Sequence, residues 1–300
     1  NTEIKELVCM IKKAIILCGG TGTRMFPPTL ASNKQLLPVY DKPMIYYPLS
    51  VLMLSGIRKY LFIINKDQKE KFKKLINPTK DLGIKIQYIE QEKPNGLPEA
   101  FILGKDFIGK DSVALILGDN FFYGQNLTSK LRECTRLKSG GIIFVHGVNN
   151  PSQYGVVKIN KRNKIIKIVE KPKKYLSNLA ITGLYFFDNK VVNYSKNLKP
   201  SKRNELEIVD LLKKYKNNNN LNAQFLGRGG AWLDTGSIND FYDTSAFVSA
   251  LENRQGMKIA CLEEISLKNK WINKKNIQFA IKFYGKCAYS QYLSTLIKSH

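Results

Sequence analysis

Short apolar runs alternate with helical patterns along the first half of the 300-residue chain. Strand patterns fall at residues 13–18, 60–64, 84–89, 113–117 and 142–147. Helical patterns lie between them at residues 42–55, in a lysine-rich stretch ending near residue 76, and at residues 97–106 and 126–137. Because this alternation is typical of βαβ units, it predicts an α/β fold with a mostly parallel central sheet. Such sheets bind ligands at the carboxyl ends of their strands.

The second half of the chain has a different pattern. Strand patterns at residues 154–159 and 165–169 flank a polar turn and predict an antiparallel β-hairpin. Strands at residues 182–187 and 223–226, a helix at residues 206–216 and nearly continuous helix from Ser237 onward follow. We expect one domain over residues 10–300, with a helical appendage at about residues 237–300. We interpret Met10 as the natural initiator and residues 1–9 as an extension before it.

The net charge of +24 allows two interpretations. The 48 basic residues, against 24 acidic ones, would attract an anion such as a nucleic acid, a membrane or a phosphorylated substrate. The alternative is a compositional bias, which the even spread of basic residues along the chain favours. No nucleic-acid recognition motif occurs, so we expect no nucleic-acid partner.

Membrane-spanning and disulfide-bonded classes of protein are also disfavoured. No apolar run approaches the roughly 18 residues that a membrane span needs, so we expect no membrane partner. The five cysteines are odd in number and include no Cys-x-x-Cys spacing. This argues against a disulfide framework or a zinc site and predicts a cytoplasmic location.

A glycine-rich turn, Gly19-Gly20-Thr21-Gly22-Thr23-Arg24, directly follows the first predicted strand. Glycines there let backbone N–H groups approach phosphate oxygens, and an arginine adds a permanently charged donor fork. The turn lacks the Gly-Lys-Ser/Thr ending of a Walker A loop, and Met25 stands where a dinucleotide fingerprint needs a third glycine. Together with Lys34 downstream, the turn predicts a phosphate-binding site of another kind.

A series of segments, in order along the chain, carries the motifs of a known family. Two of them read Gly-Gly-Thr-Gly-Thr-Arg-Met-Phe-Pro-Pro-Thr from Gly19 and Asn-Lys-Gln-Leu-Leu-Pro-Val-Tyr from Asn33. The others lie at residues 91–97, 117–120, 154–157, 170–172, 182–185, 203–208, 226–236 and 254–256. By these motifs the chain resembles the bacterial sugar nucleotidyltransferases, and among them the glucose-1-phosphate thymidylyltransferases. The resemblance spans nearly everything after Met10.

The resemblance implies a Rossmann-like nucleotidyltransferase fold and an Mg²⁺-dependent reaction. In this family glucose 1-phosphate attacks the α-phosphorus of dTTP, giving dTDP-glucose and pyrophosphate in the first step of dTDP-rhamnose and deoxysugar synthesis. Family members are usually homotetramers, and a feedback sugar nucleotide such as dTDP-rhamnose inhibits them from a second site. Each of these properties is an expectation for this chain.

The resemblance also implies roles for individual residues. Those expected to bind the nucleotide are Leu17, Gly19, Gly20, Gly22, Thr23, Arg24, Gln35, Gln91 and Gly96. Those expected at the sugar phosphate are Asn120, Tyr154, Gly155, Glu170, Lys171, Ile181, Arg203 and Trp232. Asp119 and Asp234, both predicted to stand in turns, are expected to hold Mg²⁺, which needs only one or two protein carboxylates. Arg24, Lys34 and Lys171 are the expected catalytic residues, because the reaction brings two anions together.

Two departures from the family pattern bear on specificity. Pro98 and Glu99 stand where the family usually has Ala-Gln, and Ile181 stands where valine is usual. The choice between dTTP and UTP, or another nucleotide or hexose phosphate, stays open, since one methyl group in an apolar pocket discriminates by only about 1–3 kcal/mol. A non-catalytic sugar-nucleotide sensor is a further alternative, although the turn arginine and both aspartates are retained.

Overall fold

The computed structural model describes residues 11–76 and 81–298, so the expectation about Met10 and residues 1–9 lies outside the described residues. The strands are β1 (Lys13–Cys18), β2 (Pro38–Val39), β3 (Lys42–Pro43), β4 (Lys59–Asn65), β5 (Lys85–Gln91), β6 (Val113–Leu117), β7 (Asn120–Gly124), β8 (Gly141–Gly147), β9 (Gly155–Ile159), β10 (Ile165–Glu170), β11 (Leu179–Phe187), β12 (Leu221–Phe225) and β13 (Gly230–Asp234). The helices are α1 (Tyr46–Leu54), α2 (Lys69–Ile76), α3 (Glu99–Leu103), α4 (Lys105–Ile108), α5 (Leu127–Cys134), α6 (Lys190–Lys196), α7 (Ile208–Asn217), α8 (Ile238–Gln255), α9 (Leu262–Lys268), α10 (Lys274–Tyr284) and α11 (Ala288–Lys298).

Within the described residues, the main sheet has nine strands. Its central path runs β10-β9-β11-β6-β1-β4-β5, and β8 joins β11 while β12 joins β8. Strands β6, β1, β4 and β5 are parallel, as are β8 and β12, whereas β11 is antiparallel to its neighbours. The expected α/β fold with a mostly parallel central sheet is confirmed, and β9 and β10 form the expected antiparallel hairpin.

Strand β1 lies inside the sheet because both of its faces are apolar. Successive side chains of a strand point to opposite faces. Accordingly Ala14, Ile16 and Cys18 are buried in one hydrophobic cluster, which includes residues of α1. Ile15 is buried in a second cluster, which includes residues of α7. With both faces covered, the carboxyl edge of β1 and its neighbours is left to form a binding site.

Helix α1 begins later than the sequence pattern predicts, at Tyr46. Residues 42–43 instead form strand β3, which pairs with β2. The Lys42 side chain is 2% exposed and its ammonium lies 2.7 Å from a carboxylate oxygen of Glu252 in α8; it also pairs with Asp41. A buried ion pair between residues 210 positions apart therefore outweighs the helical periodicity.

The sequence patterns also miss a two-stranded sheet formed by β7 and β13. In it Asn120 lies opposite Asp234, and Phe122 lies opposite Trp232. Helix α6 is a further element that the patterns miss, and the predicted helix at residues 97–106 is divided at Gly104 into α3 and α4.

The last four helices follow directly on β13. Ser237 and Asp240 form a capping box that begins α8. Buried Glu263 in α9 accepts hydrogen bonds from the hydroxyl groups of Tyr284 (3.1 Å) and Tyr289 (2.6 Å), which ties α10 and α11 to α9. Within residues 11–76 and 81–298, no helix combines the length and the apolar character that crossing a membrane requires.

Candidate active site

The glycine-rich turn leaves β1 at the carboxyl edge of the sheet, where two other side chains hold it. Asn65, at the end of β4, accepts a hydrogen bond from the backbone N–H of Gly20 at 3.2 Å and donates one to its carbonyl oxygen at 2.8 Å. Thr29 Oγ1 donates to the carbonyl oxygen of Gly22 at 2.7 Å. Gly20 and Gly22 have φ angles of 112° and 64°, which favour glycine. The turn is therefore held in place by its own protein contacts.

Two cations line a cavity of about 290 Å³ together with this turn. Lys34 Nζ donates to Asp119 Oδ2 at 2.5 Å and to the carbonyl oxygen of Thr235 at 3.2 Å. Arg24 is exposed, and a Cβ atom on Gly236 would lie 3.2 Å from one of its guanidinium nitrogens. Among the described residues no hydrogen-bond acceptor or ion-pair partner engages Arg24. Its donors are therefore available to an anion, whereas the Lys34 ammonium points at Asp119.

The β7–β13 sheet brings the two expected metal ligands together. Asp119 precedes β7 in a turn, as predicted, but Asp234 is the last residue of β13 and not a turn residue. Burial acts to raise the pKa of Asp119, but the Lys34 ammonium and hydrogen bonds from Lys34 and Asn120 outweigh it and hold that pKa below its usual range. Burial and repulsion by Asp119 raise the pKa of Asp234 to about 7, although Lys34 and Arg24 oppose the shift.

This pair of carboxylates fits a divalent cation. Burial and repulsion by Asp119 both raise the pKa of Asp234, and a bound cation would relieve the repulsion. Mg²⁺ commonly takes one or two protein carboxylates and completes its shell with water and phosphate oxygens. The described part of the chain contains no group of three or more His, Cys, Asp or Glu side chains placed to hold an ion. A cation at Asp119 and Asp234 would therefore take further ligands from substrate and water.

The segment expected to bind the base lies beside the turn. Gln91 ends β5 and is 7% exposed. Its side-chain amide oxygen, Oε1, would lie 2.7 Å from a Cβ atom on Gly19. Its Nε2 donates to Glu99 Oε2 at 2.5 Å. Gly96 has a φ angle of 102°, and a Cβ atom there would lie 2.1 Å from the carbonyl oxygen of Leu206. The absence of a side chain at Gly96 therefore lets the expected base segment pack closely against the loop that precedes α7.

The residues expected at the sugar include an aromatic pair. The rings of Tyr154 and Trp232 meet edge to face, with centroids 5.1 Å apart. Trp232 Nε1 donates to Asn120 Oδ1 at 2.7 Å, and the backbone N–H of Gly183 donates to the same oxygen at 3.1 Å. Asn120 Nδ2 donates in turn to Asp119 Oδ1 at 3.0 Å. Asn120 thus connects the aromatic pair with the carboxylates.

Gly155, Glu170 and Ile181 also come together. Gly155 lies opposite Glu170 in the β9–β10 hairpin. A Cβ atom on Gly155 would lie 3.2 Å from Glu170 Oε2 and 3.4 Å from Ile181 Cδ1. Burial and the nearby Glu207 carboxylate raise the pKa of Glu170. The glycine therefore leaves room for a carboxylate next to an apolar side chain, a combination suited to one face of a sugar.

Arg203 and Lys171 line a second cavity of about 540 Å³ with Glu170 and Glu207. Arg203 donates to both carboxylate oxygens of Glu207, at distances of 2.8 to 3.2 Å, and lies 3.9 Å from Glu170. The backbone N–H of Lys171 donates to the carbonyl oxygen of Tyr154 at 3.0 Å, and its side chain is exposed. Glu207 therefore fixes the direction of the Arg203 guanidinium.

The structure places most of the expected residues in two neighbouring groups. One group surrounds the cavity at the glycine-rich turn, and the other contains the Tyr154–Trp232 pair and the residues of the second cavity. Those that line the cavity at the turn are Gly19, Gly20, Gly22, Thr23, Arg24, Lys34, Gln35 and Asp119. Leu17 lies inside β1, where its carbonyl oxygen accepts a hydrogen bond from the N–H of Gly118 at 2.9 Å. Sequence reasoning missed the residues that hold these groups, namely Thr29, Asn65, Glu207 and Thr235. Asn65 directly follows a predicted strand at the same edge, and Thr29, Glu207 and Thr235 lie inside the motif segments, so each had a sequence signal but no assigned role.

Comparisons with known proteins show which family this chain is similar to. The sequence profile of the nucleotidyl transferase family matches residues 13–250. A relative from Neisseria meningitidis named glucose-1-phosphate thymidylyltransferase is 48% identical over 286 residues, which cover 95% of this chain and 99% of the relative. A relative of the same name from Xanthomonas campestris is 45% identical over 287 residues, which cover 96% of this chain and 97% of the relative.

Solved structures share the fold. A Bacillus anthracis protein described as a glucose-1-phosphate thymidylyltransferase, in complex with a sucrose, matches with a TM-score of 0.72 and 36% identity over 78% of this chain and 94% of that chain. A UDP-glucose pyrophosphorylase complexed with UDP-glucose matches with a TM-score of 0.70 and 25% identity over 82% of this chain and 100% of that chain. The chain described here therefore belongs to the nucleotidyl transferase family, among the glucose-1-phosphate thymidylyltransferases.

Proposed function

We propose that this protein joins dTTP and glucose 1-phosphate to give dTDP-glucose and pyrophosphate. A phosphate oxygen of glucose 1-phosphate attacks the α-phosphorus, and the bond from that phosphorus to the β-phosphate oxygen breaks as pyrophosphate leaves. The proposal rests on the convergence of Arg24, Lys34 and Asp119 at the glycine-rich turn. It is supported by relatives at 44–48% identity whose names carry this activity.

The chemistry depends on positioning and on charge. The attacking phosphate is already ionised at neutral pH, so no general base is required. Arg24, whose donors are available, and Lys34, which has a third N–H beyond those given to Asp119 and Thr235, hold the triphosphate and stabilise the charge that develops on pyrophosphate. Lys171 holds the sugar phosphate from the side of the second cavity.

We assign Mg²⁺ to Asp119 and Asp234. When bound there, the cation would neutralise phosphate oxygens and make the α-phosphorus a better electrophile. Lys34 and Asn120 orient Asp119 for this task, since each donates a hydrogen bond to a different carboxylate oxygen of that residue.

The remaining expected residues divide between base and sugar. Gln91 and Gly96 are proposed to bind the base, and Leu17, Gln35 and the turn to bind the rest of the nucleotide. Glu170 is proposed to accept hydrogen bonds from sugar hydroxyl groups, with the remaining sugar-side residues packing around the ring or holding its phosphate. Those residues are Asn120, Tyr154, Gly155, Ile181, Arg203 and Trp232.

A feedback sugar nucleotide such as dTDP-rhamnose is proposed to bind away from the turn. A cavity of about 440 Å³ is a candidate, since Arg132, Lys258 and Lys268 line it and would attract a diphosphate. Tyr123 of β7 also lines this cavity, and β7 begins at Asn120 beside the catalytic carboxylates.

Two further assignments follow from the resemblance. We propose a homotetramer, and exposed large apolar side chains such as Leu30 (69% exposed) and Tyr242 (72%) are available for contacts between copies. We also propose a cytoplasmic location, which is consistent with unpaired Cys18, Cys134, Cys261 and Cys287 in the described part of the chain.

The decisive experiment measures pyrophosphate release from purified protein with Mg²⁺, glucose 1-phosphate and each nucleoside triphosphate in turn. The expected result is rapid release with dTTP, and product analysis should give dTDP-glucose. Release with UTP at a higher kcat/KM than with dTTP would make the protein a uridylyltransferase. No release with any triphosphate would leave a non-catalytic sensor.

A further inference from the structure

Glu99, which stands where the family usually has an amide, holds the buried Gln91 side chain by a hydrogen bond. Gln91 Nε2 donates to Glu99 Oε2 at 2.5 Å. Glu99 also accepts from the backbone N–H of Asn95 at 3.2 Å and from Asn95 Nδ2 at 2.7 Å. The Glu99 carboxylate is therefore the acceptor for three N–H groups, and the loop between β5 and α3 keeps it in place.

A carboxylate decides which way a neighbouring amide must face. An ionised carboxylate only accepts hydrogen bonds, so the NH₂ group of Gln91 must be turned toward Glu99. An amide at position 99 could accept or donate, and it would leave either orientation of Gln91 possible. With 7% of its surface exposed, Gln91 cannot turn its NH₂ group into bulk water instead.

The other end of the Gln91 amide is consequently fixed as well. The side-chain oxygen Oε1 of Gln91 faces the start of the glycine-rich turn. It lies 2.7 Å from the position that a Cβ atom on Gly19 would take. No donor in the described ranges gives this oxygen a hydrogen bond. It is therefore a free acceptor that lies against Gly19, and Gly19 lines the cavity at the turn.

The Watson–Crick edges of the pyrimidines differ in whether N3 donates or accepts a hydrogen bond. Thymine and uracil carry an N–H donor at N3, whereas N3 of cytosine is an acceptor. We propose that Glu99 is a specificity-determining residue, which fixes Gln91 as a hydrogen-bond acceptor and so selects bases with a donor at N3. The inference rests on the proposed function, in which Gln91 contacts the base. It predicts that cytosine is rejected and does not separate thymine from uracil.

The test compares dTTP with dCTP, which share the sugar and the triphosphate. The kcat/KM ratio of dTTP over dCTP is measured with glucose 1-phosphate and Mg²⁺ for the wild-type protein and for Glu99→Gln. We expect the ratio to fall about tenfold or more in the variant, because the amide pair can then present a donor to cytosine. The change should lie in KM, with kcat for dTTP within about twofold. A ratio that stays within about twofold of wild type would overturn the inference.

Three further variants complete the design. Asn95→Ala removes one partner of Glu99 but leaves the contact with Gln91, and should keep the wild-type ratio; a loss as large as that of Glu99→Gln would overturn the inference. Glu99→Ala, with folding checked by its melting temperature, should lose selectivity as Glu99→Gln does.

Gln91→Ala should also lower the ratio of dTTP over dCTP. An unchanged ratio in Gln91→Ala would refute the proposed base contact itself. A lowered ratio in Gln91→Ala with an unchanged ratio in Glu99→Gln would refute only the role of Glu99.

Discussion

Lys34 Nζ lies 2.5 Å from Asp119 Oδ2 and 3.2 Å from the carbonyl oxygen of Thr235. One ammonium group therefore connects the segment after the glycine-rich turn, the end of β6 and the end of β13. The Lys34 side chain is 10% exposed, so this contact is weakly screened by water. The pair sets the protonation state of Asp119 and the position of Lys34 at the same time.

Replacing this lysine should affect the chemical step. Lys34→Met removes the charge and keeps most of the side-chain volume, and we expect kcat to fall by about 100-fold or more, the usual effect of losing one preorganised donor. Steady-state kinetics with dTTP and glucose 1-phosphate would measure it. Lys66→Met, at an exposed lysine after β4, is the matched control and should stay within about twofold of wild type. Equal rates for the two variants would contradict the role of Lys34.

The burial of Asp234 and its repulsion by Asp119 predict a pH-dependent stability. The pKa of Asp234 is raised from 3.8 to about 7 in the folded protein, so folding favours its protonated form. That contribution is present below pH 3.8 and is lost as pH rises through about 7. Without metal, the wild-type protein should therefore lose on the order of 2–4 kcal/mol relative to Asp234→Asn over this interval.

Urea unfolding in EDTA between pH 4.5 and 8 would measure the difference between wild type and Asp234→Asn. The difference should grow with pH up to about 7 and then level off. Added Mg²⁺ should reduce it by stabilising only the wild type. Asp234→Asn should also lose most of its turnover. Asp243→Asn, at an exposed position of α8, should show neither effect. A difference that is flat with pH would contradict the raised pKa.

The contact between Glu207 and Arg203 predicts a selective loss of sugar-phosphate binding. Glu207→Gln would leave Arg203 without its two-oxygen partner, and we expect KM for glucose 1-phosphate to rise about five- to tenfold. KM for dTTP should not change. Glu205→Gln removes the same charge from a residue that accepts no hydrogen bond from the Arg203 side chain in the described part of the chain, so it separates the effect of charge from that of contact. Similar KM values for both variants would show that only net charge matters.

The close approach of Gly96 to Leu206 predicts a loss of stability on adding a single methyl group. A Cβ atom at Gly96 would lie 2.1 Å from the Leu206 carbonyl oxygen, at a φ angle of 102°. Gly96→Ala should lower the free energy of unfolding by about 3 kcal/mol or more. Gly256→Ala is the control, because its φ of 66° is strained while nothing lies within 4 Å of the new atom; it should cost about 1 kcal/mol. Chemical denaturation would measure both, and equal losses would exclude the Leu206 contact as the cause.

The parts of the site that follow from local sequence could be predicted. Residues 13–18 form an apolar strand and the glycines follow it at once, so the position of the turn at the sheet edge needed no distant information. The link between Gln91 and Glu99 also spans only eight residues. Its geometry, however, depends on whether the oxygen or the NH₂ group of the Gln91 amide faces the turn, and that requires coordinates.

The parts that depend on long-range pairing could not be predicted. Trp232 and Asn120 are 112 residues apart, and their hydrogen bond exists only because β13 pairs with β7. Asp234 stands in that strand, where its sequence context had suggested a turn. Lys42 was likewise predicted to lie in a helix, because its ion-pair partner Glu252 is 210 positions away and local sequence does not reveal it.

The buried pair of Lys42 and Glu252 has a consequence for where this protein can be cut. The family profile ends at residue 250, two positions before this carboxylate. A chain shortened at that boundary would keep every residue assigned to the reaction, yet it would strip the enclosed Lys42 ammonium of one of its two counter-ions. The charge balance of the core around Lys42 therefore depends on a residue beyond the portion by which the family is recognised.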